Sequence, residues 1–195
     1  WKDISIIDLG HGPGWESLFD GKTLDGWQEY GKENWYVEEG WIVGQAVTDK
    51  YGYLGTRRKF SNFEIRMTFL AEGTGNSGCF FRSFLEGVDI TGVQAEIDPT
   101  PGNHTGCLYE SGHGGRGWIA QPDELGNKVM GGVGTQNVLR FVARGNRMVT
   151  YVNGWKTVDV IDDKQKHTNG IIALQLHSGG RAVMRWKDTY IRSLD

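Results

Sequence analysis

Proline and cysteine are scarce in this chain, with four and two among 195 residues. Two cysteines, Cys79 and Cys107, make no disulfide framework of the kind that staples small secreted domains. No apolar run approaches the ~20 residues that a membrane-spanning helix needs. No cluster of lysines or arginines forms a basic patch, and the net charge is −3 with a pI near 6.0. That balance argues against a nucleic-acid partner. The chain opens at Trp1 without an initiator Met and without the apolar core of a signal peptide. We expect a mature exported form, periplasmic or extracellular.

Glycine and aromatic residues are abundant instead. Thirty glycines are about twice the usual ~7% share. With so little proline, the excess does not describe a low-complexity disordered chain. It fits many tight turns and bulges, where glycine reaches positive φ without steric cost. Eight Trp, seven Tyr and eight Phe favour strands, and their flat faces suit stacking on sugars. Composition therefore points to an all-β domain of ordinary size.

The pattern along the chain agrees. Residues 1–14 read as an irregular lead-in, and residues 15–195 as a single domain of short strands and turns. Trp35-Tyr36-Val37 and Trp41-Ile42-Val43-Gly44 flank a Glu-Glu-Gly turn. Phe63 to Phe69 alternates apolar and polar residues strictly, the mark of a strand with one buried face. Cys79–Phe84, Gly92–Ile97 and Gly106–Tyr109 follow as strands. Val138–Arg144 pairs with Arg147–Val152, and Asn153-Gly154, the strongest hairpin signal in the chain, turns into the next strand. Ile171–His177 and Ala182–Ile191 close the domain. Residues 110–137 lack alternation and read as one long loop of the kind that carries function. More than ten strands with Gly and Asn turns predict a two-sheet antiparallel β-sandwich, a jelly roll or a related form.

Several segments carry a family resemblance. Ser17-Leu-Phe-Asp-Gly-Lys-Thr-Leu-Asp-Gly-Trp27, Trp35-Tyr-Val-Glu-Glu-Gly40 and Asn76-Ser-Gly-Cys-Phe-Phe-Arg82 come first. Val93-Gln-Ala-Glu-Ile-Asp98, Thr105-Gly-Cys-Leu-Tyr109, Asn153-Gly154 and Leu174-Gln-Leu-His-Ser-Gly-Gly180 follow in the same order. Together they resemble the DUF1080 family, also called the 3-keto-disaccharide hydrolase domain, from about residue 15 to the C-terminus. The resemblance implies a concanavalin-like jelly roll. It also implies cleavage of glycosides whose sugar has been oxidised at C3, with a separate sugar 3-oxidoreductase supplying that substrate.

Strand parity tests which residues share a face. Val93, Ala95 and Ile97 read as core, which turns Gln94, Glu96 and Asp98 outward. Leu174 and Leu176 leave Gln175 and His177 outward. Leu108 inward leaves Cys107 and Tyr109 outward, and Cys79 and Phe81 inward leave Phe80 and Arg82 outward. The two cysteines thus fall on opposite faces and are expected to be free. If these strands share one sheet, Arg82, Gln94, Glu96, Tyr109 and His177 make one polar surface. His177 or Glu96 is then the candidate base, Arg82 a charge stabiliser and Tyr109 a proton or hydrogen-bond donor. Gln94, Gln175, Trp118, Asp98 and Glu64 are candidate substrate contacts, although Glu64 and Arg66 read more simply as a solvated strand face. Equally, Arg82 and Glu96 could be a surface ion pair. His104 and His113 are weaker loop candidates. Gly112 to Gly117 does not both follow a strand and open a helix, as a phosphate loop must. The sequence requires no cofactor, and Asp98, Glu96 and His177 are the candidate ligands for a divalent metal. Competing readings are a non-catalytic carbohydrate-binding module, a structural domain, and a glycosidase using Glu96 and Asp98, which one strand face holds roughly 7 Å apart.

Overall fold

A computed structural model describes residues 12–100, 104–122 and 129–195. The lead-in assigned to residues 1–14 lies, up to residue 11, outside them. The described residues form fifteen strands. They are β1 (Glu16–Ser17), β2 (Trp27–Tyr30), β3 (Asn34–Glu38), β4 (Trp41–Gln45), β5 (Gly52–Thr56), β6 (Phe63–Ala71), β7 (Ser77–Glu86) and β8 (Asp89–Ile97). Then come β9 (Leu108–Ser111), β10 (Gly117–Ala120), β11 (Gln136–Arg144), β12 (Arg147–Val152), β13 (Trp155–Ile161), β14 (Ile171–Leu176) and β15 (Val183–Ser193).

One sheet runs β13-β12-β11-β6-β15-β4-β3, with β1 added beside β15. The other runs β10-β9-β8-β7-β14-β5-β2. The pairings are antiparallel, so the expected two-sheet sandwich is the fold. Alternation fixes what lies between the sheets: Phe63, Ile65, Met67 and Phe69 of β6 face Cys79, Phe81, Val93, Ala95 and Leu174 in one apolar core. Phe81 stacks on Phe141 across the layers with ring centres 3.9 Å apart. Both cysteines are free and buried, and only Cys79 belongs to this core. Asn153 and Gly154 take φ of 51° and 82°, the paired positive values of a tight hairpin turn.

Two sequence expectations give way. Residues 110–137 are not one loop: β9 continues to Ser111 and pairs with β10, Trp118 lying opposite Tyr109. Glycines at 112, 114, 115 and 117 hid that hairpin by interrupting its alternation. The second correction concerns β7. Arg82 has φ +49°, and the register slips there against both β8 and β14. This bulge breaks the period-2 parity that placed Arg82 outward.

Beyond the bulge the β7–β8 hairpin bends over the outer face of its own sheet. Leu85 and Ile90 join Tyr53, Phe80, Ile171 and Ala173 in a second apolar cluster, with Val88, Tyr30 and Tyr51 packed against it. Val88 at the tip comes so close to Gly31, after β2, that a Cβ there would sit 3.1 Å from its Cγ1. The hairpin end therefore crosses over β14 and β5. Arg82 is its anchor: the buried guanidinium donates to the carbonyls of Ser61 (2.6 Å) and Gly145 (2.8 Å) and to Asn62 Oδ1 (3.2 Å).

Candidate functional site

The bent hairpin walls one side of an open cavity of about 770 Å³ on the outer face of the β10–β2 sheet, within the range usual for small-molecule sites. Its floor comes from β8 and β14. Register sets Glu96 opposite Gly78, and Gly78 opposite Gln175, so the glycine of β7 lies between two polar side chains. That position has to be small, because a Cβ on Gly78 would lie 2.2 Å from Gln94 Nε2. With the space open, Gln94 lies across β7 and donates to Glu96 Oε2 (2.5 Å) and to Gln175 Oε1 (3.3 Å). Gln175 in turn hydrogen-bonds buried Tyr53, whose hydroxyl is pushed up to about 12, chiefly by burial.

Glu96 is the chemical centre of this floor. It is 5% exposed, and Asn76 Nδ2 donates to its second oxygen. Burial, with the Asp98 charge adding to it, raises its carboxyl from 4.5 to about 7, against the hydrogen bonds of Asn76 and Gln94. A carboxyl with that value exchanges a proton near neutrality. Asn76 also ties in the second titratable group, since its carbonyl accepts the His177 amide N–H at 3.2 Å. The His177 ring stands just past β14 at the cavity edge, its Nε2 3.3 Å from the Tyr51 hydroxyl. Its other nitrogen faces Ser178, 3.2 Å from the carbonyl and 3.3 Å from the hydroxyl. Across the cavity, Trp118 is 40% exposed. It stacks on His104 with ring centres 4.5 Å apart and meets Tyr109 edge-on.

The structure thus gathers His177, Glu96, Tyr109, Gln94, Gln175 and Trp118 at one cavity. Three sequence candidates lie elsewhere. Arg82 is an anchor under the hairpin, so it neither faces the cavity nor pairs with Glu96. Glu64 belongs to β6 in the other sheet, where Arg140 and Arg192 hold it. Asp98 follows the end of β8 and does not line the cavity; its backbone N–H donates to Thr105 Oγ1 and its carboxylate accepts from the Thr100 amide. Asp98, Glu96 and His177 do not come together as a ligand set, and no cluster of three or more such donors forms among the described residues.

Sequence reasoning missed Tyr51, Tyr53, Asn76, Phe84 and Asp89 as lining residues, while His113, a weaker loop candidate in the sequence, does line the cavity. Tyr51 and Tyr53 carried a usable signal, because residues two apart on a strand share a face. Asn76 stood in a quoted motif without being singled out. Phe84 and Asp89 had none, since the bend at Arg82 brings them over the sheet.

A model of the 3-keto-alpha-glucoside-1,2-lyase-like domain matches residues 14–192. The chain belongs to this family. A "3-keto-disaccharide hydrolase" of Bacteroides thetaiotaomicron is 38% identical over 78 residues. The match covers 35% of this chain and only 27% of that relative's length. Among solved structures, a candidate glycosyl hydrolase from Parabacteroides distasonis superposes with TM-score 0.71 at 19% identity, covering 93% of this chain and 94% of that one. The carbohydrate-binding module CBM66 of Bacillus subtilis superposes with TM-score 0.70 at 18% identity, covering 86% and 96%. The 3-keto-alpha-glucoside-1,2-lyase-like domain here therefore shares its sandwich with a sugar-binding module as well as with a hydrolase-like protein. The fold alone does not choose between those roles.

Proposed function

We propose that this domain cleaves glycosides whose sugar carries a ketone at C3, by elimination followed by hydration, in the cavity around Glu96. The observation that carries the reading is a buried carboxyl on the cavity floor, held by two amide donors, with a His–Tyr pair at the edge. A C3 ketone acidifies the C2 hydrogen, because the electron pair left behind delocalises as an enolate. Glu96 takes that proton. The enolate collapses, the C1–O bond breaks, and the aglycone oxygen leaves with a proton from the His177–Tyr51 pair. Water then adds at C1 of the enone and C2 regains a proton, giving the free 3-keto sugar. Base and acid each lower the barrier by proton transfer at the moment charge develops. Tyr109 and the Gln94–Gln175 pair supply donors for the ring oxygens. The ketone itself must come from a sugar-oxidising reaction upstream, the class of a separate oxidoreductase.

Family membership and the partial relative support this chemistry, and the test is made in deuterated water. Elimination and rehydration put deuterium at C2 of the product, whereas direct hydrolysis leaves the original hydrogen there. Product without deuterium at C2, measured against non-enzymic exchange, overturns the mechanism. The likeness to the binding module, with the exposed Trp118 platform, favours a second reading as a non-catalytic sugar binder. Saturable binding with no turnover of any 3-keto-glycoside would select it.

A further inference from the structure

Phe84 stands on the bent hairpin, 62% exposed, and lines two concavities at once. One is the cavity around Glu96. The other is a smaller hollow of about 330 Å³ on the far side, formed with Gln28 and Tyr30 of β2, Arg57 and Lys59 after β5, and Ser83. The two differ in charge. The first is lined by Glu86, Asp89 and Glu96 and by no Lys or Arg; the second carries Arg57 and Lys59 and no carboxylate. Neither cation is ion-paired among the described residues. An exposed aromatic ring between two adjoining hollows offers the flat surface on which a sugar or aromatic ring stacks.

We propose that the second hollow is a subsite for the distal part of the aglycone, with Phe84 as its stacking platform, and that it favours an aglycone bearing a carboxylate. This rests on the cleavage reading above. The cleaved sugar should be uncharged, because Glu86, Asp89 and Glu96 all line its cavity and no Lys or Arg does. The leaving portion extends over Phe84 to the hollow that carries Arg57 and Lys59, a separation that lets opposite-charge attraction fix the substrate's direction. Gln28 and the Tyr30 hydroxyl add donors suited to ring oxygens.

The test compares three substrates, namely methyl 3-keto-glucoside, a 3-keto-glucosyl glucose and the matching 3-keto-glucosyl glucuronate. The acidic disaccharide is expected to exceed the neutral one in kcat/KM by about fivefold to tenfold at low ionic strength, as two partly screened ion pairs would give. The preference should vanish near 1 M salt, where the screening length is only ~3 Å. In the R57Q/K59Q double variant the acid-to-neutral ratio falls to about one. Phe84→Ala loses more on the two disaccharides than on the methyl glycoside. A wild-type ratio of one, or a ratio unchanged in the double variant, overturns the subsite while leaving the cleavage reading intact. Turnover of none of the three defeats the cleavage reading itself, and the subsite with it.

Discussion

Replacing Glu96 by Gln should make the protein more stable above neutral pH while abolishing its turnover. The carboxyl sits near 7 in the fold against an ordinary 4.5, so the native state holds a proton that the unfolded chain has released between those values. Stability then falls as pH rises through that window and is lowest once the buried carboxylate is ionised. The full difference is about 3 kcal/mol, at 1.36 kcal/mol per pH unit. Gln cannot ionise. It meets two amide donors, Gln94 and Asn76, so one neighbour has to turn its amide. Asn76 is placed to do so, because its Oδ1 is buried without a partner. Allowing about 1 kcal/mol for that adjustment leaves a gain of about 2 kcal/mol at pH 8.5. For a domain of this size that is a rise in Tm of about 4–8 °C. In thermal melts of both proteins from pH 4 to 9 the variant should start about 2–4 °C lower at the acid end, by the ~1 kcal/mol of that adjustment, draw level at about pH 5 and lead progressively above it. A variant that is less stable at pH 8.5, or a difference independent of pH, refutes the buried-carboxylate reasoning.

Gly78→Ala tests the floor by sterics, since the new methyl displaces Gln94 from Glu96. Loss of a donor to the ionised form raises the carboxyl further, so the acid limb of the kcat/KM profile should move up by about one pH unit or more; an unmoved limb rules the contact out. Arg82→Ala removes four hydrogen bonds under the hairpin and should cost about 2–4 kcal/mol by chemical denaturation, with turnover falling as the cavity wall loosens. A direct charge-stabilising role would instead lower kcat and leave stability intact. His177→Ala should leave the melting curve within a few degrees of wild type yet remove turnover, and retained full activity excludes it as the proton donor.

The sandwich was legible because its strands alternate cleanly where one face is buried. Phe63 to Phe69 and Val93 to Ile97 announce both their type and their facing. The same parity placed Gln94, Glu96, Gln175 and Tyr109 correctly on the outer face. It failed at Arg82, where a left-handed residue inserts a bulge that no side-chain pattern reports. It also failed for Glu64, because parity separates the faces of a strand but does not say which sheet the strand joins. β5 and β10 were obscured by glycines, which supply no side chain to alternate. Gly78 was read only as part of a motif, although its emptiness is what allows Gln94 to reach Glu96.

The most direct measurement of the central claim is aglycone release from a 3-keto-glucoside set against the unoxidised glucoside, with wild type and Glu96→Gln side by side. The account predicts release from the keto substrate alone, lost in the variant, because only the ketone makes the C2 proton removable by a carboxylate. Equal release from both glucosides, or undiminished release by the variant, contradicts it.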